Sequence, residues 1–104
     1  MINGHTKKYN RKGKILFEGE YLNGKRNGKG KEYYFDGNLK FEGEYLNGKR
    51  NGKGKEYYYN GQLEYEGEYL FNKKWNGKVK EYNYDDKLKF EGEYLNGKRN
   101  GKWK

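Results

Sequence analysis

The string Phe-Glu-Gly-Glu-Tyr-Leu begins at Phe17 and returns at Phe41, at Tyr65 with Tyr in first place, and at Phe90. The chain therefore copies itself every 24, 24 and then 25 residues. A period of that length means one small unit stacked on copies of itself, each supplying core that its neighbour cannot bury alone. Residues 1–16 align with the second half of a unit, since Asn3-Gly4 match Asn27-Gly28 while Tyr9 and Gly13 match Tyr33 and Gly37. Residues 90–104 align with the first half. The 104 residues read as a single array: a half unit at 1–16, full units at 17–40, 41–64 and 65–89, and a half unit at 90–104.

Each unit reads as a β-hairpin. In Phe17–Leu22, aromatic residues and Gly alternate with Glu at the period of a strand. The following Asn-Gly-Lys-Arg-Asn-Gly is rich in turn residues and reads as a loop. A second strand then leads to Asp36-Gly37, a strong signal for a two-residue hairpin turn. No apolar stripe of helical period is present, and glycines recur too often for a helix. The expectation is an all-β chain of about eight strands. Pairing Leu22 with Lys29 and Phe35 with Asn38 sorts the residues by face. Phe17, Gly19, Tyr21, Gly30, Glu32, Tyr34, Phe41 and Tyr45 fall on one face, and Glu18, Glu20, Lys29, Lys31, Glu42 and Glu44 on the other. This register places Lys31 between Glu20 and Glu42 and sets Tyr21 opposite Gly30.

Composition narrows the function. The chain has no Cys or Ser, one Thr and one His, so no nucleophile–base–acid set can be assembled, and an enzyme is not expected. His5 is expected in solvent. Asn-Gly-Lys-Arg-Asn-Gly-Lys precedes a strand rather than a helix, so its glycines suit a turn better than a phosphate cradle. Asp85-Asp86 replaces Asp36-Gly37 and reads as a turn variant, since hard cations want about six oxygens. No cofactor or metal is expected. No stretch reaches the ~20 apolar residues of a membrane span, and no signal-peptide pattern opens the chain. A cytoplasmic location, with a membrane-peripheral one as the alternative, is the expectation. The net charge of +9 is concentrated at the ends, because residues 1–16 carry five cations (Lys7, Lys8, Arg11, Lys12, Lys14) and no acid.

The pattern aromatic-x-Gly-x-aromatic, then Gly-Lys-x-His-Gly-x-Gly, then an aromatic-rich strand closed by Asp-Gly, is that of the MORN repeat. Here it appears as Phe17-x-Gly19-x-Tyr21, Gly24-Lys25-x-Asn27-Gly28-x-Gly30 and Asp36-Gly37, and it recurs along the whole chain. Asn27, Asn51, Asn76 and Asn100 stand where His is usual. The spacing most resembles the variant repeats of small bacterial proteins labelled antitoxins. The resemblance implies an elongated, twisted antiparallel meander of consecutive hairpins that binds partners, with phospholipid as a further claimed ligand.

A single-layer sheet cannot cover its own aromatic face, and uncovered aromatic surface marks interaction sites. Another protein is therefore the expected partner, held by Tyr21, Phe41, Tyr45, Tyr65, Tyr69, Phe90 and Tyr94. Glu32, Glu56 and Glu81 on the same face would receive its basic groups. The most distinctive candidate is Tyr69–Glu81, where Phe71 and Trp75 enter with one added residue and Val79 replaces a glycine. The expectation there is a loop bulge that leaves both strand registers intact, with Phe71 and Trp75 as an anchor and Val79 beneath Tyr69. A scaffold or adaptor is the first reading. The alternatives are an antitoxin-like or anti-defence inhibitor that blocks an enzyme, and a peripheral binder of anionic lipid or nucleic acid through the Lys7–Lys14 patch. Open end strands and two half units also raise a homodimer, with Trp103 as an aromatic cap.

Overall fold

The chain, described over residues 1–82 and 87–103 in a computed structural model, forms one antiparallel sheet of nine strands in chain order. These are β1 Gly4–Tyr9, β2 Ile15–Leu22, β3 Lys25–Tyr33, β4 Leu39–Leu46, β5 Lys49–Tyr57, β6 Leu63–Leu70, β7 Lys73–Tyr82, β8 Leu88–Leu95 and β9 Lys98–Trp103. No described residue is helical, as the glycine spacing requires. Asp85-Asp86 and the side chains of Phe90 and Trp103 lie outside the described residues.

The first turn of each unit is tighter than expected. Asn23-Gly24 alone connects β2 to β3, with φ of 51° and 80°. Two central residues at positive φ give the turn whose twist matches the flanking strands, and Asn and Gly tolerate it best. The Lys25–Gly28 segment, expected in a loop, therefore belongs to β3, and Leu22 pairs with Lys25 rather than Lys29. Asn27, Gly28 and Lys29 then bulge opposite Glu20, with Gly28 at φ 98°. Beyond the bulge Gly19 faces Gly30 and Phe17 faces Glu32, two residues from the expected register. An even slip keeps every side chain on its face. Lys31 accordingly lies between Glu18 and Glu42, not Glu20 and Glu42.

The β3–β4 register is the expected one, with Glu32 opposite Phe41 and Gly30 opposite Gly43. Its turn differs: Tyr34 N–H donates to the Asn38 carbonyl at 2.7 Å and Gly37 N–H to the Tyr34 carbonyl at 2.8 Å. The loop is thus Phe35-Asp36-Gly37, with Gly37 at φ 97°, and Phe35 does not pair with Asn38.

The core is a row of rings laid along the sheet. Phe17, Phe41, Tyr45, Tyr65, Tyr69 and Val79 are buried. Edge-to-face contacts run from Tyr21 through Phe17, Tyr45, Phe41, Tyr69 and Tyr65 to Tyr94, with centroids 5.1–5.8 Å apart. Each such contact adds about 0.5–1.5 kcal/mol beyond the buried area. Glycine makes the room: a Cβ on Gly30 would lie 2.7 Å from the Phe17 ring. The ring above Gly30 is therefore Phe17, not Tyr21, which pairs with Arg26.

Successive units are also stitched by asparagine. The Oδ1 atoms of Asn3, Asn27, Asn51 and Asn76 accept the N–H groups of Asn23, Asn47, Phe71 and Asn96, at 2.8, 3.1, 3.1 and 2.9 Å. Beside each, the turn's next amide donates to the carbonyl of Ile2, Arg26, Arg50 or Trp75.

The third unit departs as a set of linked changes. Against β8, β7 keeps the ordinary register, Glu81 opposite Phe90. Against β6 it slips, so that Tyr65 faces Val79 and only Trp75 and Asn76 oppose Glu68. The expected intact register and the placement of Val79 under Tyr69 are corrected accordingly. An odd insertion into a two-faced strand must be absorbed by a changed bulge, or the faces would invert. Tyr65 replaces Phe in this unit alone, and its hydroxyl donates to the Glu68 carbonyl beside the bulge at 2.6 Å. Lys74 replaces Arg, and it pairs with Glu64, which stands where β4 carries Lys40.

Candidate binding surfaces

The aromatic face is closed by the chain itself. The Arg26 guanidinium lies 3.9 Å from the Phe17 ring centre and that of Arg50 4.1 Å from Phe41. The Lys74 ammonium sits over Tyr65 and Tyr94 at 5.5 and 5.7 Å. These cations fold back from the strand that follows each tight turn. Glu32 accepts Arg50 Nε at 3.0 Å and Nη2 at 3.1 Å, together with the Tyr45 hydroxyl. Glu56 accepts Arg50 Nη1 at 3.0 Å and the Tyr69 hydroxyl at 2.7 Å. Burial works to raise Glu32, but the bonds from Arg50 and Tyr45 outweigh it and hold the carboxyl below its usual value. Burial first, and the adjacent carboxylates second, push the Tyr45 and Tyr69 phenols far up.

This geometry relocates the residues assigned to a partner. Phe41, Tyr45, Tyr65 and Tyr69 are covered, and Tyr21 and Tyr94 are partly covered against the core they pack on. Glu32 and Glu56 hold Arg50, and Glu81 holds Arg99 at 3.1 Å, so the basic groups expected from outside come from inside. A signal was present: a cation recurs at 26, 50, 74 and 99, but placing Arg26 in a loop hid its role.

The opposite face carries an open groove of about 830 Å³. Glu18, Lys31, Glu42, Lys55 and Glu66 stand in register along one wall. Glu20, Lys29, Glu44, Lys53 and Glu68 form the other, and glycine backbone from Gly19 to Gly67 forms the floor. The floor is backbone because these glycines belong to the ring face, where a Cβ on Gly43 would lie 2.8 Å from the Phe41 ring, and strand alternation turns that position away from the groove. At one end His5, exposed as expected, lies with Nε2 2.8 Å from Glu18 and Nδ1 3.6 Å from Glu20. The Glu18 bond chiefly raises the His5 pKa, and His5 in turn lowers that of Glu18.

The two added aromatics separate. Trp75 is half-buried, and a Cβ on Gly97 would come within 3.2 Å of its ring, so it packs on the β8–β9 turn. Phe71 is 58% exposed and takes φ 48° at a turn position where the other units carry Asn. A bulky side chain at positive φ costs about 1–2 kcal/mol. Exposed and strained, Phe71 is the more distinctive of the pair. In the basic segment Lys7 pairs in register with Glu18, and the Lys8 and Lys12 ammoniums lie 5.8 and 5.6 Å from the Tyr21 and Phe35 rings. Asn10 Oδ1 accepts the Lys12 and Lys14 N–H groups, shaping the turn that carries Arg11. Among the described residues no cluster of His, Cys, Asp and Glu could hold a metal, and no helix is long and apolar enough to cross a membrane.

A model described as MORN repeat matches residues 17–39, 41–63 and 90–102, and one described as MORN repeat variant matches 2–23. The chain belongs to the MORN repeat family. The unit that holds Trp75 falls between the matched segments, in keeping with its altered register. No curated protein matches the chain. MORN repeats are repeat modules, often in binding or scaffold roles, and here the repeat builds a closed ring face on one side of the sheet and an open charged groove on the other.

Proposed function

We propose that this MORN array is a non-enzymatic protein-binding module, a scaffold or adaptor whose ligand surface is the groove on the Glu/Lys face. The observation that carries this is the groove itself, about 830 Å³ of open space walled by charges of both signs. Polypeptide suits such walls better than nucleic acid or anionic lipid. A polyanion gains from cations and is repelled by every second strand, where Glu18, Glu42 and Glu66 stand. A polypeptide can match both signs, and such complementarity selects partners and register.

The test is differential capture from the native host. The full chain is compared with a Lys31→Glu, Lys55→Glu variant and a Phe71→Ala variant, each confirmed folded by circular dichroism. A protein retained by the wild type and lost by the charge-reversed chain supports the groove. Retention unchanged by the reversal and lost with Phe71→Ala would move the site to the Phe71 turn.

A further inference from the structure

The outer edge of β1 lacks what each interior strand of its kind has. Lys31 of β3 stands between Glu18 and Glu42, and Lys55 of β5 between Glu42 and Glu66. Lys7, at the equivalent place in β1, faces Glu18 on its inner side, and β1 ends the sheet. The ring face shows the same gap. Tyr45 lies between Phe17 and Phe41, Tyr69 between Phe41 and Tyr65, and both are buried. Tyr21, at the end of the row, packs on Phe17 and stays partly exposed. Opposite Phe17 stands Lys8, where the next units place Glu32 opposite Phe41 and Glu56 opposite Tyr65. At Lys8 the charge is thus reversed relative to the interior, and residues 1–16 hold five cations and no acid.

The edge is also held in place. The Ile2 carbonyl accepts Gly24 N–H at 2.9 Å, and Asn3 Oδ1 accepts Asn23 N–H at 2.8 Å. At the far end Asn10 Oδ1 accepts two amides of the turn. A preformed edge costs little to order on binding.

We propose that the outer edge of β1 is a docking site for an extended acidic segment of another protein. The segment adds to the sheet antiparallel to β1, with carboxylates two residues apart beside Lys7 and His5, as Glu18 and Glu20 lie on the inner side. Thr6 gives the site a preference. It stands where β3 carries Gly30, and a Cβ there would lie 2.7 Å from the ring of the preceding strand. The incoming residue opposite Lys8 must therefore be aliphatic or small, giving the order aliphatic, acid, small, acid. This disfavours the chain's own Phe-Glu-Gly-Glu-Tyr strands. A second copy is disfavoured by charge too. Two β1 edges paired about Lys7 or about Lys8 would oppose that lysine to its own copy. Because β1 and β9 run in the same direction, a head-to-tail copy that keeps both faces would pair in parallel and lay a strand carrying Lys98 and Arg99 beside one carrying Lys7 and Lys8. The two terminal half units do not complete one another.

The test titrates the isotope-labelled full chain with the blocked peptide Thr-Val-Glu-Gly-Glu-Val-Thr and follows amide shifts. Saturable shifts centred on residues 4–9 are expected. N-methylating alternate peptide residues should abolish binding in one phase and spare it in the other, because only one set of amides faces β1. Lys7→Glu should weaken binding at least about tenfold, with Lys7→Gln as the milder variant should the first not fold. Replacing the first Val by Phe should weaken it as well, while the Lys31→Glu, Lys55→Glu chain should bind normally. Loss of the groove function therefore leaves this result untouched. Shifts centred on the groove, indifference to the phase of methylation, or no shift at about millimolar peptide would overturn the proposal.

Discussion

Arg50 Nε lies 3.0 Å from Glu32 Oε2, a contact between one repeat and the next. With its other end on Glu56 and its plane over Phe41, this one side chain ties two carboxylates to the ring row. Arg50→Met would leave both carboxylates in a mostly covered site without their cation. A loss of about 2–4 kcal/mol is expected in urea unfolding. Arg26→Met should cost clearly less, because its nitrogen stands 3.9 Å from Glu32.

Stability should fall in acid. Glu32 titrates below its ordinary value of 4.5 in the folded chain. Its contribution is complete above 4.5 and is lost as pH falls through the lower folded value. Tyr45 and Tyr69 are shifted up from 10.0, so their contribution is complete below 10.0 and is lost as pH rises beyond it. Melting temperature against pH should decline on both flanks, and Arg50→Met should flatten the acid flank. An unchanged acid flank would show that Glu32 is not the group responsible.

The glycines under the rings should resist any side chain. A Cβ on Gly54 would lie 2.7 Å from the Phe41 ring, and on Gly43 2.6 Å from the Gly54 Cα. Gly54→Ala and Gly43→Ala are each expected to cost about 1–3 kcal/mol in thermal unfolding. Gly61, where nothing lies within 4 Å, is set by φ 92° and not by space, so Gly61→Asn should be far milder.

Phe71 and Trp75 should part company. Phe71→Asn restores the residue that the equivalent turns carry at 23, 47 and 96, and should stabilise by about 0.5–1 kcal/mol. Trp75→Ala strips the ring from Gly97 and should destabilise by about 1–3 kcal/mol. Differential scanning calorimetry of the two single variants decides it. Stabilisation of both would mean that Trp75 is not part of the packing.

The repeat, the hairpins, the two faces and the β3–β4 register were legible because each is written in local alternation. The β2–β3 register was not. Asn-Gly occurs at 23–24 and again at 27–28, and no local rule says which pair turns and which bulges. The choice is made 20 residues away, where Asn27 caps Asn47 of the next unit. The same misplacement put Arg26 and its repeats in a loop and left the ring face looking open. The groove was hidden because its walls are lined up by a β2–β3 register, Glu18 opposite Lys31, that local pattern placed two residues away. The Trp75 insertion was visible, but its effect on register depends on how β7 satisfies two neighbours at once.

The most direct test of the account is carboxylate footprinting, by carbodiimide coupling and mass spectrometry, on the free chain and on the chain with its captured partner. Glu18, Glu42 and Glu66 should label in the free chain and be protected in the complex, while Glu32 and Glu56 stay unlabelled in both. Labelling of Glu32 and Glu56 in the free chain, with protection in the complex, would show an open ring face that binds, and would contradict the account.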